Sequence, residues 1–396
     1  MNRLVIIGNG FDLAHGIKTD YTHFICWFLD GYFVDIFENG NTSVLDRQSL
    51  LELNMRIFYD HFSGERIIFG KKEYEQYKQK ENKKPWEFLS QLHNEVEGLS
   101  IKKSLLFEKV LSNIESKGWT DIESDYYELL KENINDIDYI KLLNKQLNSL
   151  CGWLAEYLST IKQPKSIDAV KQALNAPVHT DDVSTLEIKK DEEQLKDIPE
   201  EEFIEMDKNT DLTYDFAEDT MLLSFNYTHT AKMYLDDTTH INYIHGSLDN
   251  PNEIIFGYGD EMDKDFQDLI DRNENELLSN SKSIKYLETS HYRKLLEFIE
   301  GGPFQVYIMG HSCGNSDRTL LNTIFEHPNC ISIKPFCYIN NKGEDNYSEL
   351  TRNIYRNFTD KKLFRDRVVN KERCTTLEGK YLIKRKKQVE EEKQNK

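Results

Sequence analysis

The chain lacks the cysteine spacing of a metal site. Cys26, Cys151, Cys313, Cys330, Cys337 and Cys374 form no C-x-x-C pair, so neither a zinc ribbon nor a dithiol redox motif is expected, and no metal is assigned. They read as reduced thiols of a cytoplasmic protein. Long hydrophobic runs are missing too: no stretch approaches the ~20 apolar residues of a membrane helix. The opening run Arg3-Leu4-Val5-Ile6-Ile7 stops at Gly8 and reads as a buried strand rather than a leader. An excess of positive charge is absent as well. The net charge is −19, which disfavours the phosphate backbone of nucleic acid as a partner. The basic stretch Lys384 to Lys387 is followed by Glu390, Glu391 and Glu392 and reads as a solvated tail. What the chain does contain is a high aromatic content, 12%, which argues against disorder despite 30% charged residues. Its 396 residues allow two or three structural units and a sizeable core.

Apolar runs at residues 3–8, 221–225, 241–244, 253–256, 304–309 and 331–338 predict buried strands. They are apolar throughout rather than alternating, and helical stretches separate the later ones, so a parallel sheet covered on both faces is expected. Residues 31–175 read as a large helical insertion. Thr19 or Asp20, Thr120 and Asp136 stand where helix caps belong, and Pro85 opens a further helix. Residues 176–213 are rich in Asp, Glu and Lys and poor in aromatics, the composition of a flexible acidic connector. The expected organisation is therefore a core of residues 1–30 plus 214–345, the insertion at 31–175, the connector at 176–213 and a helical, charged C-terminal segment at 346–396.

Four segments at strand ends carry the candidate chemistry. The first is Gly8-Asn9-Gly10-Phe11-Asp12-Leu13-Ala14-His15-Gly16. A glycine turn straight after a buried strand lets backbone N–H groups approach a ligand, and the helix start that follows favours phosphate. Its spacing departs from G-x-G-x-x-G, and it reads equally as a tight connection with no ligand. The second is Ser224-Phe225-Asn226-Tyr227-Thr228, in which Asn226 either faces a crevice or caps the next turn. The third is Tyr243-Ile244-His245-Gly246-Ser247, with a histidine suited to proton transfer or to a structural role. The fourth is Gly310-His311-Ser312-Cys313-Gly314-Asn315-Ser316-Asp317. Its Ser312, Asn315 and Ser316 suit ribose or phosphate, and Asp317 reads as a helix cap. In an open parallel sheet such ends share one rim.

The order of these motifs resembles the sirtuin-like superfamily. More closely, IIGNGFDLAHGIKTDY, WTDIESDY, FNYTH, IHGSL and GHSCGNSD resemble the bacterial abortive-infection AbiH family, over roughly residues 1 to 340. The resemblance implies a Rossmann-like, sirtuin-like sheet that binds NAD and cleaves its nicotinamide–ribose bond, as defence members of the superfamily do to starve an infected cell. It carries the glycine turn of those proteins onto Gly8, Gly10 and Gly16, their ribose-binding asparagine onto Asn226, their catalytic histidine onto His245, and their later glycine-serine turn onto Gly310 and Ser312. Asn9, Phe11, Asp12, Tyr227, His311, Ser316 and Asp317 complete the expected binding site. Two departures stand out. Asp12 occupies a position where sirtuins carry serine, and a carboxylate suits a ribose hydroxyl better than a phosphate. The four-cysteine zinc module is missing, which disfavours protein deacylation. Trp119, Asp121 and Glu123 match the AbiH-type segment and have no counterpart in sirtuin chemistry.

The expected activity is that of an antiphage NAD glycohydrolase. NAD is its substrate, no further cofactor is required, His245 is the general base and Asn226 orients the ribose or the water. One alternative is a sensor or scaffold that binds NAD or ADP-ribose without cleaving it. Another is a metal-dependent nuclease built on Asp12, Asp121 and Glu123, against which the acidic composition counts. A phage-derived trigger, a partner protein or self-association would supply control, and no membrane partner is expected.

Overall fold

A computed structural model describes residues 1–38, 50–55, 58–59, 66–67, 71–95, 99–189 and 213–383. Five strands, β1 (Asn2–Ile7), β2 (Asp219–Ser224), β3 (Thr239–Tyr243), β4 (Phe304–Met309) and β5 (Cys330–Phe336), form one parallel sheet. Its order is β3-β2-β1-β4-β5. The order reverses at β1, as in doubly wound sheets, which bind ligands outside the carboxyl ends of their strands at that reversal. Register on both sides of β1 is unbroken: Asn2 to Ile7 face Asp219 to Ser224 on one side and Phe304 to Met309 on the other. The ends of β1, β2 and β4 are therefore level.

Both faces are covered. Leu4, Ile6, Leu223, Val306 and Ile308 pack with Leu295, Phe298 and Ile299 of the helix at His291–Glu300, and with Leu320, Leu321 and Ile324 of that at Arg318–Phe325. Val5, Ile7, Leu222, Tyr307 and Met309 point the other way, against Phe11, Val170, Leu174 and Tyr234. Burying both faces explains why β4 carries six buried residues in a row rather than an alternating pattern.

The sixth expected strand, 253–256, does not join the sheet. Pro251–Glu253 form a 3₁₀ turn, because proline brings no N–H to a ladder and presets a turn. Ile255 instead donates its N–H to the His245 carbonyl at 2.9 Å, laying the segment over the end of β3.

A second core is built mainly by the insertion, joined by Phe24 and Phe28 before it and by Phe256, Tyr258, Phe266, Leu269 and Leu277 after it. Phe24, Phe28, Phe33, Phe88, Phe107, Tyr126 and Leu147 are among its buried members. Its main helices include α1 (Tyr21–Phe37), α2 (Ile122–Glu132) and α3 (Ile137–Ser159). Asp20 and Asp136 cap α1 and α3, accepting from His23 N at 3.0 Å and Tyr139 N at 2.9 Å. The cap of α2 is Asp121 rather than Thr120. Asp121 accepts from Ser124 N at 3.2 Å, whereas the Thr120 hydroxyl turns inward to Asp125 at 2.8 Å. Residues 31–175 are not helical throughout. Leu51–Met55 pairs antiparallel with Leu99–Lys103, and Phe58–Tyr59 with Arg66–Ile67.

Within 176–213, Val178–His179 pairs with Thr213–Asp215, and Ser184 donates its N–H to the Ile331 carbonyl at 2.8 Å. Residues 190–212 lie outside the described residues, as do 384–396, which hold the expected basic stretch. The C-terminal segment contributes Leu350, Ile354 and Phe358 to the core on the Leu4 face. All six cysteines are free. Among the described residues no helix is long and apolar enough to cross a membrane.

Candidate functional site

The turns after β1 and β4 touch backbone to backbone. Gly8 donates its N–H to the Met309 carbonyl at 3.2 Å, and Gly10 to the Gly310 carbonyl at 2.8 Å. A Cβ on Gly8 would stand 2.5 Å from His311 Cα, and one on Gly10 2.8 Å from the Gly310 oxygen. Gly310 has φ +75°, and a Cβ there would lie 1.9 Å from the Phe11 nitrogen. The glycines thus serve the seam between the two turns. The Gly8 and Gly10 N–H groups, expected to face a ligand, are taken by protein carbonyls. Gly310→Ala is expected to cost roughly 2–5 kcal/mol, the sum of left-handed strain and overpacking. Gly314→Ala, whose added Cβ would meet Ser312 Oγ at 3.6 Å, should be close to neutral. Urea unfolding of both variants checks this, and a wild-type midpoint for Gly310→Ala would mean that the seam can part freely.

Around the seam the strand ends enclose a cavity of about 400 Å³. Of the expected residues, Gly8, Asn9, Gly10, Asp12, Asn226, Tyr227, His245, Gly310, His311, Ser312, Ser316 and Asp317 line it. Three do not. Phe11 packs on His15 and Tyr234, Gly16, φ +78°, follows the end of the short helix Asn9–Ala14, and Asn315 opens the 3₁₀ turn Asn315–Asp317. Thr19, Asp20, Tyr21, Thr120 and Thr228 also line the cavity, as do Trp119, Asp121 and Glu123 of the insertion.

Asn226 caps no helix. Its Nδ2 donates to the Gly8 carbonyl at 2.9 Å, pinning the end of β2 to the first turn. Asp12 is 1% exposed; its Oδ2 accepts from the Thr228 hydroxyl at 2.6 Å, while Oδ1 is buried without a hydrogen-bond partner. Burial raises its pKa, and Thr228 then opposes the shift.

Behind these groups lies a buried charge cluster whose central lysine neither spacing nor motif announces. Lys282, 0% exposed, places Nζ 2.8 Å from Asp317 Oδ1 and 3.1 Å from Glu123 Oε1. Glu123 also accepts the Gly257 N–H at 2.9 Å. Asp317 stands at the first residue before the helix Arg318–Phe325, but its side chain makes no cap bond. The expected cap role gives way because its carboxylate is drawn to the ammonium and to two histidines. His245 Nε2 lies 3.3 Å from Asp317 Oδ1 and 3.0 Å from the Tyr286 hydroxyl. His311 Nε2 lies 3.5 Å from Asp317 Oδ2. The Cys313 N–H donates to His311 Nδ1 at 3.0 Å, which leaves the ring hydrogen on Nε2, facing Asp317.

These contacts divide the protonation states. Burial and then the Lys282 charge push His245 down to about 4, so it is a neutral imidazole at pH 7. Burial pushes Glu123 up to about 7 against the pull of Lys282, with Asp317 and Asp121 adding to the rise. Burial opposes the ionised forms of Asp317 and Lys282 too. For Asp317, Lys282 and then His245 reverse that effect and hold it well below the usual carboxylate range. For Lys282, Asp317 and Glu123 reverse it and hold the pKa above the ordinary lysine value. One carboxylate of the cluster is thus firmly ionised, and the other sits near neutrality.

Comparison with known proteins adds one finding. A family model described as Bacteriophage abortive infection AbiH matches residues 4–338. No curated protein and no solved structure matches the chain.

Proposed function

This chain belongs to the bacteriophage abortive infection AbiH family, and we propose that it exerts the family's antiphage role by hydrolysing NAD at the nicotinamide–ribose bond, on a Rossmann-like sheet of sirtuin type. The observation that carries this reading is the place of the cavity. It spans the carboxyl ends of β1, β2, β3 and β4 where the strand order reverses, and that is where doubly wound sheets hold nucleotides. Its volume, about 400 Å³, suits a small-molecule ligand.

In the proposed reaction the C–N bond breaks and nicotinamide leaves as a neutral base with the bonding electrons. Water adds to the ribosyl carbon and releases one proton. The ribosyl carbon passes through a cationic, oxocarbenium-like state, which the Asp12, Glu123 and Asp317 carboxylates favour electrostatically. His245, neutral at physiological pH, accepts the proton, and Asp317 beside it stabilises the imidazolium that results. Asn226 fixes the rim against which the ribose sits. The same carboxylates, and the glycine N–H groups already engaged at the seam, argue for the nicotinamide-ribosyl end in this cavity and the pyrophosphate away from Asp12.

One observation favours a second reading, a binding module without turnover. His245 has a pKa near 4 and is already engaged by Asp317 and Tyr286, so its basicity is modest. Incubation with NAD, followed by chromatography and a melting curve, separates the two. Equal amounts of nicotinamide and ADP-ribose are expected. A raised melting temperature without products would favour the binding module, and neither products nor a shift would reject both.

A further inference from the structure

The wall that the insertion adds to the cavity differs from the sheet wall. Trp119 lines the cavity yet is 61% exposed. It sits in a short link held at both ends: Gly118, φ +78°, closes the helix Leu105–Lys117, and Asp121 caps α2. A large ring held at a cavity mouth with most of its surface in water is poor packing, but a ready platform for a flat ligand. The charges around it are of one sign. The ionisable lining residues besides the histidines and tyrosines are Asp12, Asp20, Asp121, Glu123 and Asp317, with no lysine or arginine among the lining residues. The buried cation behind them, Lys282, is committed to Glu123 and Asp317. Asp20 and Asp121 cap helices, and Asp12 keeps a buried oxygen without a partner.

We propose that Trp119, with Asp20 and Asp121 of the same cavity lining, forms a subsite for a planar, positively charged heterocycle of the N-substituted pyridinium type. The indole face attracts such a ring by stacking and by cation–π interaction, and the carboxylates supply the counter-charge. Adenine, flat but neutral, would gain only the stacking. The subsite rests on the reading that a nicotinamide nucleotide enters this cavity, and it goes further by stating which end of the ligand the insertion recognises and by what chemistry.

The test measures binding to the full-length chain by calorimetry, with NAD, ADP-ribose, 1-methylnicotinamide and nicotinamide as probes. Trp119 is exposed, so Trp119→Ala should melt with wild type. Trp119→Ala is expected to weaken NAD about 10-fold or more, on the scale of one lost ring stack, with Trp119→Phe recovering most of it. ADP-ribose, which has no pyridinium, should bind both forms alike. Wild type should prefer 1-methylnicotinamide, a cation, to neutral nicotinamide. Unchanged NAD affinity in Trp119→Ala would overturn the subsite while leaving the NAD reading intact. An equal loss for NAD and ADP-ribose would reassign the platform to adenine and overturn the pyridinium assignment. Failure of wild type to bind either nucleotide would remove the NAD reading and the subsite with it.

Discussion

Lys282→Met is expected to destabilise the protein by about 3–5 kcal/mol at pH 7, the range for removing one partner of a buried ion pair. The magnitude follows from what remains. Glu123 and Asp317 would face each other in a dry site with no cation between them, and methionine fills the volume without supplying charge. The loss should depend on pH in a defined direction. A carboxyl whose folded pKa is raised binds its proton more tightly in the folded state, so its contribution favours folding at low pH and fades as pH rises through the interval from 4.5 to about 7. His245 acts in the opposite sense. Its folded pKa of about 4 lies below the ordinary 6.5, so stability is lost as pH falls through that interval. In wild type the two effects oppose each other over much of the same range. Without Lys282 the Glu123 pKa rises further and His245 is relieved of its nearest positive charge. The Glu123 effect then dominates, and the variant should recover stability on acidification from pH 7 to about pH 5.5. Glu123→Gln combined with Lys282→Met should also recover part of the loss, because only one buried charge remains unpaired. Urea unfolding at the two pH values measures all of this. A single variant as stable as wild type at pH 7 would mean that the cluster is not charged as described.

His245→Ala is expected to lower NAD cleavage by about 10²–10⁴-fold, the usual contribution of a general base. His245 is 4% exposed and packs edge-on against Phe225, with ring centroids 5.0 Å apart, so alanine also leaves a small void. His245→Gln, which refills much of the volume, controls for that. If both variants keep ADP-ribose affinity and lose turnover, the imidazole is a chemical participant. Wild-type turnover in either would remove His245 from the mechanism and shift attention to Glu123, the cavity carboxyl poised near neutrality. Asn226 is a less clean probe than the sequence alone implies, because its amide also holds the Gly8 carbonyl and its truncation loosens the rim.

The sheet was legible because five of its apolar runs are bounded by turn residues, and burial on both faces demands such runs. The rim was legible for the same reason: glycine, asparagine and histidine end those runs, and parallel strands bring their ends together. What escaped was set by distant partners. Lys282 lies in a stretch with no motif, and its partner Glu123 is 159 residues away. A lysine in an undistinguished polar segment reads as solvated surface until the fold encloses it. Asp317 read as a cap because local spacing sees only the helix that follows, whereas the ammonium and two histidines outbid that helix for its carboxylate. The same blindness put the α2 cap one residue early, at Thr120, whose hydroxyl is claimed by Asp125. Glu123, two residues after the Asp121 cap, carries no local sign of its distant partner. The two carboxylates point to different tasks, one to the backbone of its own helix and the other across to Lys282.

The reach of Glu123 has a consequence for how the chain can be divided. The Glu123 carboxylate belongs to a helix of the second core, while the carboxylate opposite, Asp317, follows a strand of the sheet. The cavity therefore has no owner within the chain. Its lining is drawn from both, Trp119 and Glu123 from one side and Gly8, Asn226, His245 and Asp317 from the other, so neither supplies the whole pocket.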